Sequence, residues 1–202
     1  MLRGVTPLRL TERKTPFDDP DWVFELKYDG FRALAYVDDD GCRLISRNRH
    51  PFDEFDELAA EVAKSLEAER AVVDGEIVCV DELGRSQFYE LMARRCRPCF
   101  FAFDLLWVDG EDLRGQALIE RKARLRSLVP DDDARLLYVD HVEERGVALF
   151  EKICEMDLEG ITAKRKNGLY RDGTRWLKIK NRSYSQAEGR GELFDRRRSS
   201  DS

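Results

Sequence analysis

Four short apolar runs in this chain carry charges at alternate positions, and that pattern narrows the folds open to it. In Trp22-Val23-Phe24-Glu25-Leu26-Lys27-Tyr28-Asp29-Gly30, the residues Glu25, Lys27 and Asp29 alternate with apolar neighbours. Side chains at i, i+2 and i+4 of a strand share one face. If the strand runs to its end, a lysine lies between two carboxylates. Asp74 and Glu76 share a face in Val72-Val73-Asp74-Gly75-Glu76-Ile77-Val78. In Trp176-Leu177-Lys178-Ile179-Lys180 both lysines are in phase with the tryptophan, and Glu159-Gly160-Ile161-Thr162-Ala163-Lys164 has a carboxylate and a lysine at its ends. One such strand is ordinary, with a solvated polar face. Four of them, flanked by Val, Ile, Leu, Phe and Trp, point to a shared polar cleft for an anion and a divalent cation.

The rest of the chain supplies a frame for such strands. Strands are predicted at 22–28, 32–37, 43–47, 71–80, 99–108, 135–142, 160–165 and 175–181, with Asp40-Gly41 as a hairpin turn. Helical spacing of Phe52, Phe55, Leu58, Ala59, Val62, Ala63 and Leu66 predicts a helix over 52–68. Further helices are predicted at 86–95, 117–128 and 146–156. Strands and helices mix without regular alternation, and the hairpin signals favour an α+β fold with substantially antiparallel sheets.

Composition excludes several classes. The 202 residues are 42% hydrophobic and 38% charged, which is globular rather than disordered. The net charge of -6 offers no bulk basic field for nucleic acid, although a local basic site is compatible with it. The most apolar stretch, Cys99 to Val108, is broken by Asp104 and is too short for a membrane span. No secretory signal is expected, and five irregularly spaced cysteines suggest reduced thiols in a cytoplasmic protein. With His50 and His141 the only histidines, a histidine-rich metal site is excluded. His141 is expected to be structural, and Cys96-Arg97-Pro98-Cys99 a plain loop. Residues 110–115 have the glycine spacing of a phosphate loop but are followed by Gln116 and Ala117, where Lys and Ser or Thr are required.

The charged segments resemble, in order, the motifs of the covalent nucleotidyltransferases: ATP-dependent DNA ligases, RNA ligases and capping enzymes. Lys27-Tyr28-Asp29-Gly30-Phe31-Arg32 is similar to the K-x-D-G-x-R nucleotidyl-acceptor motif, and Ser46-Arg47-Asn48 to S-R-N. Asp74-Gly75-Glu76 resembles D-G-E, and Phe103-Asp104-Leu105-Leu106 resembles F-D-L-L. Residues 159–164 resemble E-G-x-x-x-K, and residues 176–180 resemble W-x-K-x-K. The wording is closest to bacterial ATP-dependent DNA ligases of the end-joining type. Arg49 departs from the pattern, standing where the family usually has glycine. The resemblance implies a ligase nucleotidyltransferase fold, ATP-grasp-like, with flanking helices around a nucleotide cleft. It assigns 1–195 to one adenylation domain and leaves 196–202 as a disordered tail. It leaves no room for the OB-fold domain that usually follows.

The resemblance also implies a chemistry. Lys27 would attack the α-phosphate of ATP, forming lysyl-AMP and releasing pyrophosphate, for later transfer to a 5′-phosphate at a DNA nick. Only a neutral amine attacks. An unperturbed lysine, with a pKa of about 10.4, is neutral in roughly one molecule in 2,500 at pH 7, a penalty of about 4.6 kcal/mol. By matching positions, Lys178 and Lys180 would share in catalysis by neutralising the α-phosphate. Glu25, Arg32, Arg47, Phe103 and Lys164 would bind the nucleotide, with Phe103 stacking on adenine. Glu76 and Glu159 would support ribose or bind Mg²⁺ or Mn²⁺. Asp74 is read either as part of this site or as a structural residue orienting its neighbours.

Nicked DNA is the expected partner of a monomer, acting at the bacterial nucleoid, with an OB-fold or end-joining protein in trans as a second partner and no membrane. Two alternatives stand beside this. One is an RNA ligase- or capping-type enzyme, and the other a non-catalytic nick- or partner-binding module.

Overall fold

The computed structural model describes Leu2 and residues 4–187. The elements run β1 (Leu10–Glu12), β2 (Asp18–Leu26), β3 (Phe31–Asp38), β4 (Gly41–Ser46), α1 (Asp56–Ser65), β5 (Ala71–Val78), α2 (Phe88–Met92), β6 (Cys99–Val108), β7 (Glu111–Asp112) and α3 (Leu118–Arg126). They continue β8 (Leu136–Tyr138), β9 (His141–Arg145), α4 (Gly146–Glu155), β10 (Gly160–Arg165) and β11 (Trp176–Lys180). The first sheet has the order β1-β11-β10-β2-β9; the second has β4-β3-β5-β6-β7, with β8 also beside β6. Pairing is antiparallel except for β1 with β11 and β6 with β8, so the expected α+β class with antiparallel sheets is what the chain adopts.

Strand alternation sorts the core into layers. In the first sheet Phe24, Ile161, Ala163 and Ile179 turn away from the cleft and pack with Ile153 of α4. The alternate residues of the same strands, including Glu25, Lys164 and Trp176, face the second sheet. There Leu34, Val72, Leu106 and Trp107 meet Trp176 and Tyr170. The other face of the second sheet packs Ala33, Ala35, Val73, Ile77 and Phe100 against Leu58, Ala59 and Val62 of α1.

Three expectations need correction, and one strand is an addition to them. The strand predicted over 135–142 is two strands in different sheets: β8 pairs with β6, and β9 pairs with β2. The chain crosses between the layers at Val139 and Asp140. The first motif strand ends at Leu26, so Asp29 does not share a sheet face with Glu25. Instead Asp29 is buried; its backbone N–H donates to Ser86 Oγ at 3.2 Å, and Tyr184 OH donates to its carboxylate at 3.4 Å. β1 was not foreseen, because its three residues carry no periodic signal. Finally, Cys79 and Cys96 pair, their Cα atoms 6.2 Å apart, a separation a disulfide spans, so five separate thiols is not the arrangement found. Cys42, Cys99 and Cys154 are free. The expected tail at 196–202 lies outside the described residues.

Candidate active site

The motif segments converge where the two sheets face one another. Glu25, Lys27, Arg32, Glu76, Phe103 and Lys164 line one small cavity of about 40 Å³. Lys27 follows the last residue of β2, and its backbone N–H donates to Gly160 O at 2.9 Å. Its Nζ donates to Glu159 Oε2 at 2.7 Å. That contact brings Glu159 to the site, although it does not line the cavity. Gly30 is required because the chain presses on β5 here: a Cβ at Gly30 would lie 2.1 Å from Ile77 O. Gly75, between Asp74 and Glu76, leaves space that the Phe100 ring fills, with a Cβ falling 2.4 Å from it.

Asp74 is wholly buried and accepts three hydrogen bonds. Arg32 donates through Nε at 2.9 Å and Nη2 at 2.6 Å, and Tyr170 OH donates at 2.7 Å. Burial alone would lower the Arg32 pKa, but Asp74 outweighs it and raises the group further. Asp74 therefore fixes the guanidinium, whose Nη1 also donates to Leu8 O at 2.9 Å. Its neighbour Asp104 binds Arg121 through both oxygens, at 2.8 Å each, with neither side chain exposed.

Glu25 lies between two buried lysines. Lys122 Nζ is 2.7 Å from Oε1, and Lys164 Nζ is 2.5 Å from Oε2. Burial would raise the Glu25 pKa, but the lysines hold it below the usual range. Lys164 is sandwiched by aromatic rings, 4.3 Å from the Phe103 centroid and 4.1 Å from that of Trp176. Phe103 also faces the Arg32 guanidinium at 5.2 Å. These burials exclude solvated polar faces for Glu25, Asp74 and Lys164.

Arg47, Lys178 and Lys180 do not line the cavity. Arg47 is exposed in the turn after β4. In that turn Arg49 has φ 65°, a left-handed conformation that suits glycine better. The family's glycine at this position thus has a backbone reason, and this chain makes the same turn without it. Lys178 and Lys180 stand on β11 opposite Thr162 and Gly160, with Lys178 half-buried and Lys180 exposed.

Lys122, Arg121, Tyr170 and Ser86 support the site and were not singled out in the sequence. Among them Arg121 and Lys122 carry a readable signal. Leu118, Arg121, Lys122 and Leu125 follow i, i+3, i+4, i+7 spacing, so both charges lie on the buried stripe of α3.

Burial pushes Glu76 up to about 7, against the pull of Lys27 and Arg32. Between the ordinary carboxylate value of 4.5 and that raised value, the folded state binds the extra proton. The stability this contributes is present at low pH and lost as pH rises through the raised value. Glu76→Gln removes the effect. Ligand-free melting of this variant and the wild type should diverge in the variant's favour between about pH 5 and about pH 8. A constant difference would contradict this.

Comparison with known proteins follows the same lines. Residues 9–180 match the family model of the ATP dependent DNA ligase domain. The Pseudomonas aeruginosa multifunctional non-homologous end joining protein LigD is 34% identical over 168 residues, covering 79% of this chain and 20% of that protein. The SPbeta prophage-derived DNA ligase-like protein LigB of Bacillus subtilis is 30% identical over 194 residues, covering 90% of this chain and 69% of its own. The crystal structure of the ligase domain from M. tuberculosis LigD superposes with a TM-score of 0.73 at 29% identity, over 87% of this chain and 59% of that one. The chain thus spans only a part of several of its relatives. With the family's fold, its ordered motifs and a match across residues 9–180, the chain belongs to the ATP-dependent DNA ligase family, as its adenylation domain.

Proposed function

We propose that this chain is a DNA ligase adenylyltransferase that forms a covalent lysyl-AMP through Lys27. The observation that carries the reading is the Lys27–Glu159 hydrogen bond beside a cavity lined by Glu25, Arg32, Glu76, Phe103 and Lys164. The Lys27 amine would lose a proton, for which the bonded Glu159 carboxylate is the acceptor at hand. Its nitrogen would then form a bond to the ATP α-phosphorus as the bond to pyrophosphate breaks. Phe103 would stack on adenine, with Glu25 and Lys164 at the nucleotide. Arg32, aimed by Asp74, and Arg47 would hold ribose or phosphate oxygens as forked donors. Lys178 and Lys180 would neutralise charge developing at the α-phosphate. AMP would pass from Lys27 to the 5′-phosphate at a nick, and the 3′-hydroxyl would displace it, sealing DNA in repair.

Glu76 and Glu159 fit a divalent cation. Burial, with the Glu159 charge adding to it, raises the proton affinity of Glu76, which marks a carboxylate short of compensation. Among the described residues no group of three or more His, Cys, Asp or Glu gathers. The shell would need water and phosphate oxygens, which suits Mg²⁺. Bound there, the cation would neutralise phosphate charge.

The test is incubation with α-labelled ATP and Mg²⁺, then denaturing electrophoresis. Wild type should retain label and Lys27→Ala should retain none. Label on the alanine variant, or none on the wild type even with an OB-fold protein added, would refute the proposal. Sealing of nicked DNA against nicked RNA separates the DNA reading from an RNA ligase.

A further inference from the structure

We propose that Lys122 is a positioning residue that keeps Glu25 paired from behind the cleft, so that Lys164 can leave Glu25 for an incoming nucleotide phosphate. The proposal rests on the adenylation reading above. Lys122 belongs to α3, outside every motif segment, yet none of its side chain is exposed. Its Nζ donates to Val139 O at 2.9 Å and lies 4.7 Å from the Tyr138 ring centroid. These contacts anchor the ammonium on the far side of Glu25 from the cavity, which Lys164 lines and Lys122 does not.

The charge count is uneven. One carboxylate, Glu25, is shared by two ammonium groups at 2.7 and 2.5 Å. His141, opposite Glu25 on β9, is held below its usual value by burial and by Lys122. It is therefore largely neutral near pH 7 and leaves the pairing to the lysines. Both contacts with Glu25 are close but poorly aligned, since neither Glu25 Oε1, which faces Lys122, nor Lys164 Nζ has a hydrogen-bond partner among the described residues. Lys122 is held in addition by Val139 O, and Lys164 by no hydrogen bond among those residues. Lys164 is thus the more weakly tethered of the two. Space makes the same point. About 40 Å³ holds a few waters and no nucleotide, while the Lys164 ammonium sits between Phe103 and Trp176. A nucleotide entering there displaces Lys164 or Phe103. A Lys164 that leaves alone would strand a buried carboxylate, at a high cost. With Lys122 in place the carboxylate stays paired.

The test is a double-mutant cycle on ATP affinity, measured by titration without Mg²⁺, with adenylation followed separately. Lys122→Met ties Lys164 to Glu25 and should weaken ATP binding on the order of 30-fold. Label at saturating ATP should be little changed, so KM moves and kcat does not. On a Glu25→Gln background the carboxylate charge is gone, and Lys122→Met should change affinity less than about 3-fold. Lys122→Arg should restore much of the wild-type affinity. Equal loss on both backgrounds would mark Lys122 as a packing residue and overturn the proposal, as would no loss on either. If Lys122→Met alone does not fold, the double variant against Glu25→Gln decides by the same criterion. A wild type that neither binds ATP nor takes label overturns the adenylation reading and this proposal together. A wild type that labels, with Lys122→Met labelling equally at low ATP, overturns this one alone.

Discussion

Asp74→Ala should lower unfolding stability by about 3–5 kcal/mol, among the largest losses expected from any single side chain here. The reason is what it leaves behind. Arg32 loses two hydrogen bonds from one carboxylate, and Tyr170 loses its acceptor. The Asp74 side chain is 0% exposed and that of Arg32 15%, so water compensates little. An uncompensated cation beside the cavity is worse than no ion pair at all. Urea denaturation measures the loss. Asp38→Ala is the contrast: its partner Arg43 has a side chain 65% exposed. That pair should be worth less than about 1 kcal/mol. A loss below about 1 kcal/mol at Asp74 would mean that Arg32 finds another partner.

Gly160→Ala should cost about 2–4 kcal/mol and disturb labelling of Lys27 as well. Two constraints coincide at this glycine. Its φ is 148°, and a Cβ would lie 2.2 Å from Ile179 O, a backbone atom of β11 that cannot move alone. The same residue accepts the Lys27 backbone hydrogen bond and pairs with Lys180. Relief of the clash therefore shifts the rung that joins both lysines. Gly110→Ala separates the two causes, because Gly110 has φ 100° and open space around it. It should show only the backbone cost of about 1–2 kcal/mol and normal labelling. Equal losses at both glycines would remove the steric argument.

Much of this site is legible in the sequence because alternation within strands is local. Glu25, Asp74 and Lys164 could be placed on inward faces from their apolar neighbours alone. What holds them could not. Tyr170 reaches Asp74 across 96 positions, and Ser86 reaches Asp29 across 57. No local pattern reports such distances. The crossing at Val139 and Asp140 was hidden for a related reason. Leu136 to Val139 form one unbroken apolar run that leads into Asp140-His141-Val142 without a glycine or proline, so nothing marks the change of sheet. Arg121 and Lys122 differ, since helical spacing alone places them on the buried stripe of α3 beside Leu118 and Leu125. A charge on an apolar stripe is the helical counterpart of a charge on an inward strand face, and it carries the same message.

The two links between the sheets have a mechanical consequence. Residues 27–30 lead from β2 to β3, and Val139 with Asp140 leads from β8 to β9. β2 and β9 are neighbours in the first sheet and Glu25 stands opposite His141, so both links leave the same end of this strand pair, and the line through them runs across the strands like the spine of a book. Rotation about this spine displaces a residue in proportion to its distance from it. Lys27 sits on the spine and barely moves. Lys180 pairs with Gly160, which accepts the Lys27 backbone N–H, so it lies near the same line and moves little, while Trp22 and Arg165, paired further along the strands, travel further. Lys27 and Lys180 are the near-fixed points of any such rotation, and the far ends of the strands are the page edge that swings.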